Sequence, residues 1–201
     1  MMRLSHTSSR VACARALVFL VCVFFLAVML ITPCFAKTSY KKIFKQVSRH
    51  EEVYGRDDFY ASLNWYATYQ DAAFLSAKVD KIARIYDYDS DRKSALWQAE
   101  RKNLDKYHRF FVCLYTYEYK YGDLTSHDTV WELVLDVDGE KIKPEKIELI
   151  PKVDPLTQSL FPYSNIWSRH FEVLFPKKNH VAGVPLRLQI NGPFGRSVLK
   201  W

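Results

Sequence analysis

Three aspartates at alternate positions open the stretch "YDYDSDRKSALWQAE" in the way that an EF-hand calcium loop begins. They are Asp87, Asp89 and Asp91. A calcium loop needs glycine in its sixth slot, for a sharp turn, and a bidentate glutamate in its twelfth. Arg92 and Gln98 occupy those slots, which adds a cation and leaves a single neutral oxygen. We therefore predict no metal site here.

The same stretch carries the signals of a helix start. Ser90 or Asp89 can cap the free N–H groups, and Asp91 falls in the first turn, where the helix dipole favours a negative charge. Apolar residues then recur at helical spacing, which predicts a helix from about Ser90 to about His108.

Other motifs that could support catalysis, metal binding or cofactor binding are equally few. Ser126, His127 and Asp128 are consecutive, but neighbouring side chains point apart, so "TSHDT" predicts a turn and not a catalytic triad. The histidines after residue 36 form no H-x-H or H-E-x-x-H pattern. "NGPFG" lacks the lysine and the strand-to-helix setting of a phosphate loop. We predict no catalytic residues, no metal and no cofactor.

The unusual feature is a run of aromatic residues after His108. They occupy odd positions and share one face if the strand stays regular: Phe111, Tyr115, Tyr117, Tyr119 and Tyr121. Tyrosine offers apolar area with a hydroxyl rim, which suits sugar rings or a protein partner. The alternative is that these rings line the core. The candidate binding residues are Tyr117, Tyr119 and Tyr121.

The first 36 residues differ from the rest of the chain. Three arginines precede the uncharged run "ALVFLVCVFFLAVMLI", and "TPCFA" offers a signal-peptidase site after Ala36. We expect a cleaved signal peptide, with an uncleaved membrane anchor as the alternative because the run approaches membrane-spanning length. A lipoprotein cut before Cys34 is disfavoured by Pro33. Each reading places residues 37–201 outside the cytoplasm.

The composition of residues 37–201 limits the partners. The first 36 residues, which we call the leader, hold three arginines and no acidic residue. The net charge therefore falls from +7 for the whole chain to +4 for residues 37–201. No dense basic stripe points to nucleic acid. Cys113 is the single cysteine after residue 36, so the domain relies on its core and not on disulfides. A bacterial envelope protein is the class that these features favour.

The elements follow from hydrophobic spacing. A helix with a lysine-rich face is expected over residues 37–55. Its basic part, residues 40–54, could rest on the anionic headgroups of a membrane or pack on the domain as an ordinary surface helix. A second helix follows Asp71. Alternation predicts strands at 59–69, 109–119, 129–137, 140–150, 170–176, 184–190 and 196–201, with a hairpin turn at Asp138-Gly139 and an irregular connection over 151–169.

These elements predict a single α+β domain over residues 37–201, with N-terminal helices packed on an antiparallel, immunoglobulin-like β-sandwich. The expected function is a non-enzymatic binding or assembly role in the envelope, with a protein or glycan partner. The alternative is an extracytoplasmic hydrolase acting on carbohydrate or peptide, whose site would assemble two or more of the scattered residues Asp57, Asp58, His108, His127 and His170.

Overall fold

A computed structural model describes residues 39–54, 61–177 and 183–201. Residues Thr38–Trp201 form one compact unit, and the predicted leader lies outside the described residues. The described helices are α1 (Tyr40–Val47), α2 (Ala72–Ile85), α3 (Ser90–Arg101) and α4 (Pro155–Leu160), with a 3-10 helix at Tyr119–Gly122.

The strands of the described chain form two antiparallel sheets. These strands are β1 (Ser48–Tyr54), β2 (Ala61–Tyr69), β3 (Tyr107–Thr116), β4 (Glu132–Val137), β5 (Glu140–Ile142), β6 (Lys146–Ile150), β7 (Arg169–Pro176), β8 (Leu186–Gly192) and β9 (Gly195–Lys200). Sheet A has five strands in the order β1-β2-β3-β7-β6, and sheet B has four in the order β5-β4-β8-β9. The α+β class is therefore confirmed.

Strand β3 separates two hydrophobic cores. Its even-numbered side chains, such as Phe110 and Val112, join a cluster shared with sheet B. Its odd-numbered side chains Phe111 and Cys113 join a second cluster with α1, α2 and the segment after α4. Because both faces are covered, the middle of β3 is buried throughout.

Local capping explains where two helices begin. Asp71 accepts a 2.7 Å hydrogen bond from the backbone N–H of Phe74 and starts α2. Asp89 accepts a 2.8 Å bond from the N–H of Arg92 and starts α3, which confirms the predicted cap. Helix α3 ends at Arg101, before the predicted His108, and none of its side chains is buried.

The prediction of a helix over residues 37–55 is wrong in its second half. Helix α1 ends at Val47, and residues Ser48–Tyr54 form β1 at the edge of sheet A. Gly55, the predicted helix end, lies outside the described residues. The basic helix is thus shorter than the predicted 40–54. Pairing with β2 provides β1 with backbone hydrogen bonds that its charged sequence did not indicate.

The predicted strand 140–150 is two strands in different sheets. Strand β5 pairs with β4 in sheet B, and β6 pairs with β7 in sheet A. Pro144 lies between them and lacks the N–H that a continuous ladder needs. The Asp138-Gly139 hairpin turn is confirmed: both residues have positive φ, at 53° and 86°, and Val137 pairs with Glu140.

None of the helices in the described ranges combines the length and the apolar character that a membrane crossing requires.

Candidate functional site

The tyrosine segment leaves the sheet earlier than predicted. Strand β3 ends at Thr116, whose hydroxyl donates a 2.8 Å bond to the carbonyl of Glu118, and the chain then turns into the 3-10 helix. The regular alternation therefore stops, and Tyr117, Tyr119 and Tyr121 do not share one face. The interpretation that all odd positions from 111 to 121 align is wrong beyond Tyr115.

Tyr117 and Tyr119 are exposed, at 71% and 63% of their surface. Tyr121 is half-buried, and its ring lies 5.4 Å from the ring of Phe194 in the β8–β9 turn. It lines a groove of about 420 Å³ together with Tyr117, Glu118 and Ala61. Tyr119 lines a different groove, which is described below.

Arg169, the first residue of β7, fixes the position of Tyr119. Its guanidinium carbon lies 4.2 Å from the centre of the Tyr119 ring, in cation–π contact. The same guanidinium donates a 2.9 Å hydrogen bond to Asp123. Burial acts to raise the pKa of Asp123, but hydrogen bonds from Thr125 and the charge of Arg169 outweigh it, so that pKa is lowered. Asp123 is thus held as a carboxylate.

A second exposed apolar pair lies beside this segment, in the predicted irregular connection 151–169. Ile166 and Trp167 are 82% and 70% exposed. The side chain of Asn165 accepts hydrogen bonds from the Trp167 N–H (2.9 Å) and the Ser168 hydroxyl (3.1 Å). These bonds stabilise the turn that carries Ile166 and Trp167. We call Tyr117, Tyr119, Ile166 and Trp167 the aromatic rim.

The two halves of the rim lie at the same end of sheet A because β3 and β7 are antiparallel neighbours. Leu114 near the end of β3 pairs with Arg169 at the start of β7. Residues just after β3 and just before β7 therefore emerge at the same end of sheet A. Sequence analysis missed Ile166 and Trp167, although two consecutive large apolar residues in a polar, proline-containing loop were an available signal.

The groove beside Tyr119, which we call the Arg169 groove, has a volume of about 320 Å³. Its apolar wall comes from the end of β6 and the residues after it. Its polar side comes from the turn before β7 and the first residues of that strand. It is lined by Leu149, Ile150, Pro151, Lys152, Val153, Asn165, Ile166, Ser168, Arg169, His170 and Tyr119.

His170 is the most deeply buried polar residue that lines this groove. It is only 2% exposed, and its ring lies against Phe111 at 6.0 Å. Burial lowers the pKa of His170 to about 4, so the imidazole is neutral at pH 7. Its Nε2 atom and the Nε atom of Arg169 are both buried and have no hydrogen-bond partner in the described part of the protein.

The described histidines proposed for an assembled hydrolase site, His108, His127 and His170, are not brought together. His108 pairs with Phe175 and His170 pairs with Cys113, so the two histidines lie on opposite faces of sheet A. His127 is fully exposed in its turn, with its Nδ1 atom 3.2 Å from Asp128. Asp57 and Asp58 lie outside the described residues. Within the described ranges, His, Cys, Asp and Glu side chains form no group of three suited to a metal.

A further groove of about 670 Å³ lies at the opposite end of β3, near His108 and Trp201. Its cations are already engaged. Arg49 donates to the carbonyl of Lys200 (2.6 Å), and Lys177 donates to the carbonyl of Leu104 (2.6 Å). These bonds support the fold, and we do not assign this groove a ligand.

A network of charges lies between sheet A and the helices. Arg109 donates to Glu172 on β7 and, at 2.8 Å, to Glu100 on α3, and Lys78 on α2 donates to Glu100 at 2.8 Å. Gln70 donates to both oxygens of Glu172 at 3.0 and 3.1 Å. Burial raises the pKa of Glu172 against the opposing effect of Arg109. Each charge has an opposite partner, as a structural network requires.

Comparisons with known proteins show no family. No protein-family model matches the sequence, and a comparison with curated proteins finds no match. Among solved structures, the chain is similar to a novel protein of unknown function from Burkholderia pseudomallei. The two share 12% sequence identity, the match covers 81% of each chain, and the TM-score is 0.42.

Proposed function

We propose that this chain is a non-enzymatic binding or assembly protein of the bacterial envelope, periplasmic or tethered at the membrane surface. The aromatic rim is the observation that carries the proposal. Four large, exposed side chains belong to two segments at the same end of sheet A, where Asn165 and Asp123 accept hydrogen bonds. Exposed aromatic residues on rigid loops are typical of contact surfaces.

We further propose that the two sheets form an immunoglobulin-like sandwich. The hydrophobic cluster that they share supports this arrangement, as does the indole of Trp65, which donates a 3.0 Å hydrogen bond across to Ser197 of β9. Domains of that class bind through loops at one end of the sandwich. The rim occupies such a place, at one end of sheet A. Its occupant would be a protein or glycan of the envelope.

The alternative class, a hydrolase acting on carbohydrate or peptide, has less support. It would need two or more of Asp57, Asp58, His108, His127 and His170 in one cleft. Of the described residues in this set, His108 and His170 lie on opposite faces of sheet A. The shallow aromatic rim suits a binding role better, so our proposal places no catalytic step on this chain.

We also propose that α1 brings the domain close to a membrane surface. The apolar side of α1 packs on the domain through Ile43 and Phe44, while Lys41, Lys42 and Lys45 are exposed. We expect salt-sensitive sedimentation with anionic vesicles, and weakened sedimentation after Lys41→Glu with Lys42→Glu. If sedimentation does not depend on these lysines, α1 is an ordinary surface helix.

Crosslinking and capture from the native envelope test the binding role. Tyr119→Ser, combined with Trp167→Ala, should weaken capture of the main partner at least tenfold while leaving the melting temperature nearly unchanged. Tyr86→Ser is the matched control, because Tyr86 is an exposed tyrosine after α2 that lines neither of the grooves lined by Tyr117 and Tyr119. Equal capture by all three proteins would remove the rim from the proposal.

A further inference from the structure

Strand β6 is an outer strand of sheet A. Within residues 39–54, 61–177 and 183–201, β7 is the one strand that pairs with it. The other outer strand of sheet A, β1, lies instead against β9 of sheet B, and Arg49 donates a hydrogen bond to the carbonyl of Lys200 there. An outer strand presents a row of backbone N–H and C=O groups on which a further strand can pair.

Two prolines limit how a further strand can pair with β6. Pro144 lies two residues before the strand, and Pro151 directly follows Ile150. Neither proline has the backbone N–H that a ladder of hydrogen bonds requires. Regular pairing is therefore confined to the segment between them.

The two faces of β6 differ in character. Ile147 and Leu149 lie on the face towards sheet B, where they pack, half-buried, on the shared hydrophobic cluster. Lys146 and Glu148 lie on the other face, where they are exposed and form a 2.8 Å ion pair. A strand added beside β6 would cover the exposed part of Ile147 and leave the charged groups in water.

The charges indicate which strand fits. Charged side chains often protect a sheet edge, and a row of one sign would repel a second copy of the same strand. In β6 the signs alternate. When two β6 strands pair antiparallel about Ile147, Lys146 of each copy lies directly opposite the partner's Glu148.

This register adds to the ion pair that each strand already has. Lys146 keeps Glu148 of its own strand and gains the partner's Glu148, so every charge has two neighbours of opposite sign. A pairing centred on Lys146 or on Glu148 would place like charges opposite each other, which is destabilising. The charge pattern therefore selects the register centred on Ile147.

We infer that two copies of this chain form a dimer by pairing their β6 strands, antiparallel about a two-fold axis at Ile147, so that the two copies of sheet A join in one continuous sheet. The interface is isologous, because the same strand contributes from both copies. A strand of five residues gives a small contact, so the dimer is weak and depends on protein concentration. Strand β6 shares no residue with the aromatic rim, so this inference goes beyond the proposed function.

Charge reversal tests the register. We would measure sedimentation of the purified protein at low salt over a hundredfold range of concentration, starting in the micromolar range. The wild type should pass from monomer to dimer. Lys146→Glu and Glu148→Lys, each alone, should weaken dimerisation at least tenfold. An equal mixture of the two variants should dimerise like the wild type, because opposite charges then face each other at both positions.

The folded state should tolerate these changes. The side chains of Lys146 and Glu148 are both more than half exposed, so neither substitution should change the melting temperature appreciably. Lys120→Glu and Glu118→Lys are the matched controls, because they reverse the charges of another exposed ion pair, outside β6. Neither control should change dimerisation.

Cysteine substitution tests the position of the axis. Ile147→Cys should give a disulfide-linked dimer under mild oxidation, because residue 147 opposes its own copy with Cβ atoms about 4.5–5.5 Å apart. Leu149→Cys should not, since its two copies lie roughly 14 Å apart along the strands. The wild type, whose Cys113 is buried, provides the background.

Three results would overturn the inference. A wild type that stays monomeric at every concentration would leave the edge of β6 to a strand of a different protein. A dimer that persists in both charge-reversed variants would use another surface. A mixture of the two variants that fails to dimerise would show that Lys146 and Glu148 do not face each other.

Discussion

Glu100, in the last turn of α3, accepts a 2.8 Å hydrogen bond from the guanidinium of Arg109 on β3 and another of 2.8 Å from Lys78 on α2. Burial opposes ionisation of Glu100, but the two cations outweigh it and lower its pKa. Since the side chains of α3 are at most partly buried, the helix is held on the domain by these bonds, by the ion pair between Lys93 and Asp80 and by the packing of Leu96 on the second core.

Glu100→Gln should therefore release α3 before the rest of the domain unfolds. Removing the charge leaves Arg109 and Lys78 without part of their compensation, and we expect a loss of about 2–3 kcal/mol after allowing for their residual exposure. Hydrogen exchange should accelerate over residues 90–101 more than in β3. Glu118→Gln is the control, because its pair with Lys120 is exposed and worth at most about 1 kcal/mol.

Trp201, which directly follows β9, should contribute to stability. Its indole donates a 2.6 Å hydrogen bond to the carbonyl of Val47, and its ring meets Phe110 at 5.2 Å. We expect Trp201→Ala to cost about 2–4 kcal/mol in denaturant unfolding. Trp167→Ala, which removes an exposed tryptophan, should stay within about 0.5 kcal/mol of wild type. Equal effects of the two substitutions would contradict this assignment.

His170 should make the domain less stable in mild acid. Its pKa is about 4 in the folded protein and about 6.5 when unfolded, so the unfolded chain binds the extra proton between these values. Stability should fall as pH drops from 6.5 towards 4 and level off below, by at most roughly 3.5 kcal/mol for about 2.5 pKa units at about 1.4 kcal/mol each. His170→Leu should remove this component from unfolding curves measured at several pH values; parallel curves would contradict it.

Cys113 should be unreactive in the folded protein. It is buried between Phe111 and the helices, and burial raises the pKa of its thiol to about 11. Alkylation at pH 8, read by mass spectrometry of the Cys113 peptide, should be at least a hundredfold slower than in denaturant. Rapid labelling of the folded protein would show that this core opens readily.

The mature N-terminus is expected at Lys37, from the small residues Ala36 and Cys34 before the cut. The intact mass of the exported protein tests this. A chain that retains Met1 would support the membrane anchor, and a lipid on Cys34 would support the lipoprotein.

Sequence patterns predicted the elements whose structure depends on local chemistry. The Asp138-Gly139 turn and the Asp89 cap each follow from a few neighbouring residues. Strand β1 was missed because only Val53 in it is buried and its ladder with β2 decides its structure. The grouping of Tyr119, Ile166 and Arg169 depends on β3 pairing with β7, which no local pattern encodes.

The place of β7 in sheet A also sets the order in which the chain can fold. It lies between β3 and β6, and Leu114 meets its partner Arg169 only 55 positions later. At about 5–20 residues per second, synthesis leaves the long apolar edge of β3 without a neighbour for several seconds. We expect slow folding, in keeping with such distant pairings, and a chain that aggregates when truncated before residue 176. A chaperone that shields β3 during this interval would raise the yield.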